Sequence, residues 1–436
     1  MNIKKKLTYF AIIIFVIVFI AYPLSNFNSF KKKVGFILPN SFKETIKEII
    51  IGKEKYNKMK ELYDTKLIKQ SYNQKNLPET EFQKLSFKKI SLKKLDLNKI
   101  PAKDNSMFVK PETKPFFIET YKNNLVLVSQ TGNIYFINYQ DLDKNLVNEY
   151  IKLDLNYSNI FSKVLDILID GQKVYISYAN ERDENCFVHG IMSAELGGNK
   201  LDFKNFFNNN ECVESTFAGK MALYKFEDKD GLLLSLDALS KWKNLAQTNN
   251  SLLGKIIFIN KNNGNNFIFS KGHRNPQGLI VYNNTIISTE HGPRGGDEIN
   301  RIKFGKNYGW PISSYGEPYE YENKNINEYN FLKNHKVHNF EEPIFSFVPS
   351  VGLSQLIKVP SDFSNLWKDS FILSSLNAGS LYRFQINEDM DKILYYEKIF
   401  IGERIRDIMY FKKNNSIILA LENTGSIGIL TTINDF

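Results

Sequence analysis

Asn123-Asn124-Leu125-Val126-Leu127-Val128, then Gly132, then Ile134-Tyr135-Phe136-Ile137, is a phrase of four parts: a polar turn, an apolar strand, a glycine turn and a second apolar strand. Asn, Asp and Gly favour the tight turns of β-hairpins, and alternating β-branched and aromatic residues fit pleated strands. The phrase recurs along the chain. It returns at Asp170-Gly171 with Val174 to Tyr178, and at Asp230-Gly231 with Leu232 to Leu234 and Gly254 to Ile259. Further copies open at Asn283-Asn284, Lys368-Asp369 and Asn414-Asn415. One hairpin cannot bury both its faces, whereas radial stacking of such sheets around an axis covers them and leaves only short edges. The repeat predicts an all-β six-bladed β-propeller over 105–436, with an irregular pair of β-sandwiches as the other all-β arrangement.

Outward from the repeats, composition excludes some functions. Net charge is +10, but no zinc pattern, RNA-recognition signature or arginine-rich arm accompanies it, so nucleic acid is not an expected partner. The two cysteines, Cys186 and Cys212, are too far apart for a C-x-x-C site. Export would allow a disulfide between them.

Lys4, Lys5 and Lys6 precede an apolar run from Leu7 to Leu24, and no small-residue cleavage site follows Ala21. The run is near the lower limit for a membrane-spanning helix, so residues 1–30 are expected to be an uncleaved transmembrane anchor. The preceding lysines favour a cytoplasmic N-terminus. That orientation puts the chain in the inner (cytoplasmic) membrane with its propeller in the periplasm or outside the cell. Residues 31–104 read as a Lys/Glu-rich, partly helical linker, with Ile46, Ile49, Ile50, Met59, Leu62 and Leu67 spaced as on an amphipathic helix.

The densest polar stretch lies between strands. Residues 272–278 read Gly-His-Arg-Asn-Pro-Gln-Gly, 290–298 read Glu-His-Gly-Pro-Arg-Gly-Gly-Asp-Glu, and 305–311 read Gly-Lys-Asn-Tyr-Gly-Trp-Pro. Polar groups packed this closely are costly unless bonded to one another or to a ligand. Glycine and proline turns aim loop carbonyls, which together with carboxylates suit a hard cation such as calcium. Arg274 has the fork for an anionic ligand.

This block resembles the signature of the glucose/sorbosone dehydrogenases, and the likeness extends over about 115–432. Leu165 to Tyr178, Val348-Pro349-Ser350-Val351-Gly352-Leu353-Ser354 and Arg404-Ile405-Arg406-Asp407-Ile408 carry weaker parts of it. The resemblance implies a quinoprotein that oxidises a sugar (an aldose) or related alcohol by hydride transfer to pyrroloquinoline quinone (PQQ), beside calcium (Ca2+). By position, Arg274, Asn275, Gln277, Arg404 and Arg406 would hold PQQ. The carbonyls of Gly292 and Pro293 would hold the cofactor's calcium. Asp297, Glu298 and the carbonyl of Tyr308 would form a second calcium site.

The chain also departs from the family pattern. Where the family places a general-base histidine after its Leu-Asp strand, this chain has Asp170, the expected catalytic residue by position. A second family histidine aligns with Thr216, and a lysine present in some members aligns with Asn377. Asp170 could equally serve only the Asp-Gly turn. The departures thus allow a second expectation, a catalytically impaired propeller that binds a ligand or a protein partner.

Overall fold

The computed structural model describes residues 83–433 except 98–112, 144–146, 148, 156–162, 184–185, 198–199, 214–215 and 320–330. The expected anchor at 1–30 and the amphipathic stretch from Phe42 to Ile68 lie outside the described residues. Among the described residues no helix is long and apolar enough to cross a membrane.

Six four-stranded antiparallel sheets follow one another along the chain. Blade one comprises Phe116–Tyr121, Asn124–Ser129, Ile134–Asn138 and Ile151–Lys152. Blade two comprises Lys163–Asp170, Lys173–Asp183, Cys186–Glu195 and Lys204–Val213. Blade three comprises Met221–Phe226, Lys229–Leu236, Lys255–Asn260 and Asn266–Lys271. Blade four comprises Pro276–Tyr282, Thr285–Glu290, Asp297–Ile302 and Phe345–Phe347. Blade five comprises Leu353–Lys358, Ser370–Ser375, Ser380–Ile386 and Ile393–Phe400. Blade six has Ile405–Phe411, Ser416–Leu421 and Ser426–Ile433 from the C-terminal end of the chain. The first strands of the six blades touch in a closed ring, each packed against the next and the sixth against the first.

The outer strand of blade six is Lys84–Ser91, antiparallel to Ser426–Ile433. This corrects the sequence reading of 31–104, which had a partly helical linker there. The strand escaped notice because only Ile90 is buried and Phe87 is exposed. An outermost strand half in water carries little apolar alternation. Its use closes the ring with chain from both ends, and Leu92, Leu95 and Leu97 then enter the core between blades six and one.

Each blade buries both faces, which is why its middle strands read as unbroken apolar runs. In blade three, Leu232, Leu234 and Leu236 pack toward blade two, while Leu233 packs with Leu279 and Ile286 of blade four. The two-residue period of the strand produces this division. The polar hairpins are where the sequence put them. Gly171, Asn283, Asn284 and Asn415 all adopt the left-handed backbone that such turns demand.

Strand alternation gives the propeller two unlike rims. Turns joining strands one to two and three to four form one rim, except that the long connection 303–344 of blade four returns to a cleft beside Arg274. Loops joining strands two to three, and the links between blades, form the other.

Candidate functional site

The loop rim gathers residues far apart in sequence. Arg274 and Asn275 lie in the link entering blade four, and Arg404 in the link entering blade six. Gln277 and Arg406 open the first strands of those blades. Glu422 lies just after the second strand of blade six. Blades four and six are not neighbours in the ring, yet Arg406 Nη1 donates to Gln277 Oε1 across the axis at 3.4 Å. Gln277 Nε2 donates in turn to Asn275 Oδ1 and to the Phe217 carbonyl, both at 2.7 Å.

Glu422 accepts from Arg406 Nε at 2.7 Å and from Arg404 Nε. Burial pushes the Glu422 carboxyl up, and Arg406 and Arg404 more than reverse this, leaving it below the ordinary carboxylate range. Arg274 is held differently. Its guanidinium lies 5.2 Å from the Trp310 ring centre and donates to the His291 carbonyl at 3.1 Å. Its backbone N–H donates to Glu290 Oε1 at 2.6 Å. Its buried Nε has no hydrogen-bond partner among the described residues. The side chains of Arg274, Arg404 and Arg406 therefore hold one bonded carboxylate between them. Burial lowers the pKa of His291; Asp297 opposes that shift, and Arg274 and Arg406 reinforce it, so both cations bear on one ring.

Beside Arg274 a small cleft is lined by His291, Gly292, Pro293, Glu298 and Trp310, among others. The residues expected to bind metal behave unequally. Asp297 accepts three backbone N–H bonds, from Gly292 at 3.0 Å, Val351 at 2.9 Å and Gly352 at 2.7 Å. It pins two loops together and does not fit as a free ligand. The Pro293 carbonyl accepts from the Tyr319 hydroxyl at 3.2 Å. Glu298 is buried, and burial followed by Glu290 drives its carboxyl well above the ordinary range. It faces the His335 ring at 3.7 Å, whose own pKa burial lowers. Tyr308 packs its ring on His273 and donates its hydroxyl to the Arg301 carbonyl at 2.5 Å. Among the described residues, no three His, Cys, Asp or Glu side chains stand together as a metal site.

Asp170 is a correction. It ends the first strand of blade two, pairs with Lys173 across the hairpin, and is bonded to Lys261 at 2.6 Å. Lys261 follows the third strand of blade three. Both residues belong to the turn rim, at the opposite end of the strands from Arg274 and Arg406. Asp170 makes a turn and a half-exposed ion pair, and does not reach the candidate site.

Two buried polar groups were missed from sequence. In one, Thr216 Oγ1 contacts His189 Nε2 and donates to Asp237 Oδ1 at 2.8 Å. In the other, Lys220 donates to Asp166 at 2.7 Å and lies 3.5 Å from Asp407. Lys220 precedes blade three and Asp407 belongs to blade six, so they meet across the axis. Asp166, Asp407 and Thr216 lie in segments that the resemblance marks, but their partners could not be read, because each group joins single residues of different blades. The cysteines do pair: Cys186 and Cys212 form a disulfide between the third and fourth strands of blade two, with Cα atoms 5.0 Å apart.

Comparison with known proteins places these features. The profile of the family described as Glucose / Sorbosone dehydrogenase matches residues 113–429. Aldose sugar dehydrogenase YliI of Escherichia coli (strain K12) is 27% identical over 292 residues, 61% of this chain and 76% of that protein. The crystal structure of the soluble aldose sugar dehydrogenase from Escherichia coli in the apo-form shares the fold. Its TM-score is 0.63 at 19% identity, covering 81% of this chain and 100% of that one. The PQQ-bound form of aldose sugar dehydrogenase from Streptomyces coelicolor gives a TM-score of 0.56 at 16% identity, with coverage of 81% and 100%.

Proposed function

The chain belongs to the glucose/sorbosone dehydrogenase family, and on that premise we propose that its loop rim binds PQQ and oxidises a sugar or related alcohol. The observation that carries the proposal is the cationic excess among the described residues: three guanidiniums on one rim with a single bonded carboxylate, and one buried guanidinium nitrogen without a partner. Buried charge is tolerated when paired. An anion bearing several carboxylates supplies the missing partners, and planar forks suit carboxylates. The relative whose structure is PQQ-bound supports the cofactor class.

When bound, PQQ supplies a two-electron acceptor for the hydride, and a separate acceptor then removes the electrons. The chain's own residues do the rest. Arg404 and Arg406 orient the ligand's carboxylates while Glu422 fixes their own forks. Asn275 and Gln277 offer amides tied to one another and to Arg406. Trp310 holds the Arg274 guanidinium and excludes water from one of its faces. Calcium enters only through Glu298 and the carbonyls of Gly292 and Tyr308. Chelation followed by calcium titration, read as a shift in Tm, decides that part.

A second reading keeps the cofactor and drops turnover. Asp170 on the far rim favours it. Reconstitution of the full-length protein with PQQ, followed by dye reduction with a panel of sugars, separates the two. Sugar-dependent dye reduction supports the oxidoreductase, bound PQQ without turnover supports the binding module, and absence of PQQ binding contradicts both.

For location, the proposal is a single-pass anchor at Leu7 to Leu24 with the propeller in the periplasm or outside the cell. The Cys186–Cys212 disulfide supports an oxidising compartment. Protease accessibility of the propeller in spheroplasts is the test.

A further inference from the structure

Oxidation of a hydroxyl to a carbonyl breaks one C–H and one O–H bond. The hydrogen on carbon leaves with both electrons for the quinone, and the proton on oxygen passes to the protein. Histidine is the usual acceptor near neutral pH. The chain has five histidines. His273 is fully buried with Nδ1 on Glu290 at 3.0 Å and Nε2 on Ser270 at 2.8 Å, so both nitrogens are engaged. His291 bonds the Leu353 carbonyl through Nε2, and an imidazolium there would stand among guanidiniums. His335 and His338 sit in a helical turn of the insert before Phe345.

His189 differs. It lies on the third strand of blade two, 1% exposed, with Nε2 against Thr216 Oγ1 and 3.5 Å from Asp237 Oδ1. Its Nδ1 is buried without a partner among the described residues. The cluster is wired into the rim on both sides. Phe217, next to Thr216, donates its N–H to Asp237 Oδ2 at 3.0 Å and gives its carbonyl to Gln277. Ala238, next to Asp237, donates to the Arg274 carbonyl at 2.9 Å. The disulfide joins the strand bearing His189 to the strand that leads into Thr216.

We propose that His189, acting through Thr216 and backed by Asp237, is the proton acceptor of this site, an imidazole delivered from a neighbouring strand rather than from the rim loop. The inference rests on the PQQ-dependent reading. The Thr216 hydroxyl turns its own hydrogen from Asp237 to His189 Nε2 and gives that proton up as Oγ1 takes the substrate's hydroxyl proton, leaving an imidazolium beside the Asp237 carboxylate, while the hydride goes to the quinone. His189 and Asp237 are positioning residues, and Thr216 is the group that meets the substrate.

The experiment uses full-length protein loaded with PQQ, read by two signals: cofactor affinity from absorbance titration, and the single-turnover rate of quinone reduction by sugar across pH 5 to 9. His189→Gln is expected to bind PQQ within about twofold of wild type. Its reduction rate should fall about 100-fold, and the acid limb of the pH profile should vanish. The double variant H189A/T216H, which restores an imidazole beside Asp237 from the loop, is expected to recover at least about tenfold over H189A. A purely structural role predicts no such rescue. Wild-type rates in H189Q, or no rescue in the double variant, overturn the proposal while PQQ binding stands. Wild-type protein that binds PQQ but never reduces it with sugar overturns it as well. Wild-type protein that binds no PQQ brings down the functional reading together with this one.

Discussion

Two clusters of buried charge sit close together in this propeller, and they are balanced differently. On the axis, one ammonium, Lys220, faces two carboxylates, Asp166 and Asp407, with Glu119 nearby. Carboxylates outnumber the ammonium there, and burial raises the pKa of both Glu119 and Asp166 toward neutral pH. Burial lowers the Lys220 pKa, and Asp166 and Asp407 outweigh it, so the amine stays protonated. At the rim, three guanidiniums share one bonded carboxylate. The axial cluster offsets its surplus of carboxylates by holding protons on Glu119 and Asp166, whereas a cluster with cations in excess is completed by something from outside. Arg406 and Asp407 are adjacent in sequence and serve one cluster each.

The largest effect expected is on the axial side. Lys220→Met leaves Asp166 and Asp407 facing each other without a cation, and breaking a buried pair this way costs about 3–5 kcal/mol. Chemical denaturation should show that loss. A Lys220→Met protein of wild-type stability would mean that the axial cluster is not what locks the blades.

Next comes pH. Burial raises Glu119 from 4.5 to about 7, with Asp407 and Asp166 adding to the shift, and burial raises Asp166 from 3.8 to about 6. Both carboxyls bind protons more tightly folded than unfolded. The stability they confer is full below about pH 4 and is lost as pH climbs through about 6 to 7. Tm should therefore fall between pH 5 and 8, and Glu119→Gln should flatten that slope. A Tm that rises over this range contradicts the assignment.

On the rim side, Arg274→Lys keeps the charge but loses the planar stack on Trp310 and the fork. PQQ binding is expected to weaken about tenfold, or about 1.4 kcal/mol, with little change in Tm. The smallest effect belongs to the turn rim. Asp170→Asn removes a half-exposed ion pair and should cost at most about 0.5 kcal/mol, leaving PQQ affinity and turnover unchanged. Abolished turnover in Asp170→Asn would restore that residue to the site.

The same contrast explains what sequence could show. Hairpins are local, so Asn283-Asn284 and Asp170-Gly171 announced their turns, and the 272–311 block announced the rim. The strand Lys84–Ser91 was hidden because its partner, Ser426–Ile433, lies at the other end of the chain. Asp170 was misplaced for a related reason. Aligned position gave a residue number, but only strand direction says which rim it occupies. His189, Thr216 and Asp237 come from three separate segments, and only the folded ring brings them together. Arg404 and Arg406 could be named from the resemblance, yet their shared Glu422 could not.

The decisive measurement is a calorimetric titration of the full-length protein with PQQ, wild type beside R404A/R406A. Cationic excess at the rim predicts one equivalent bound by wild type and at least about a hundredfold weaker binding in the variant, two charge-assisted contacts being worth about 3 kcal/mol or more. Equal affinity in the two proteins, or no heat of binding in either, would contradict it.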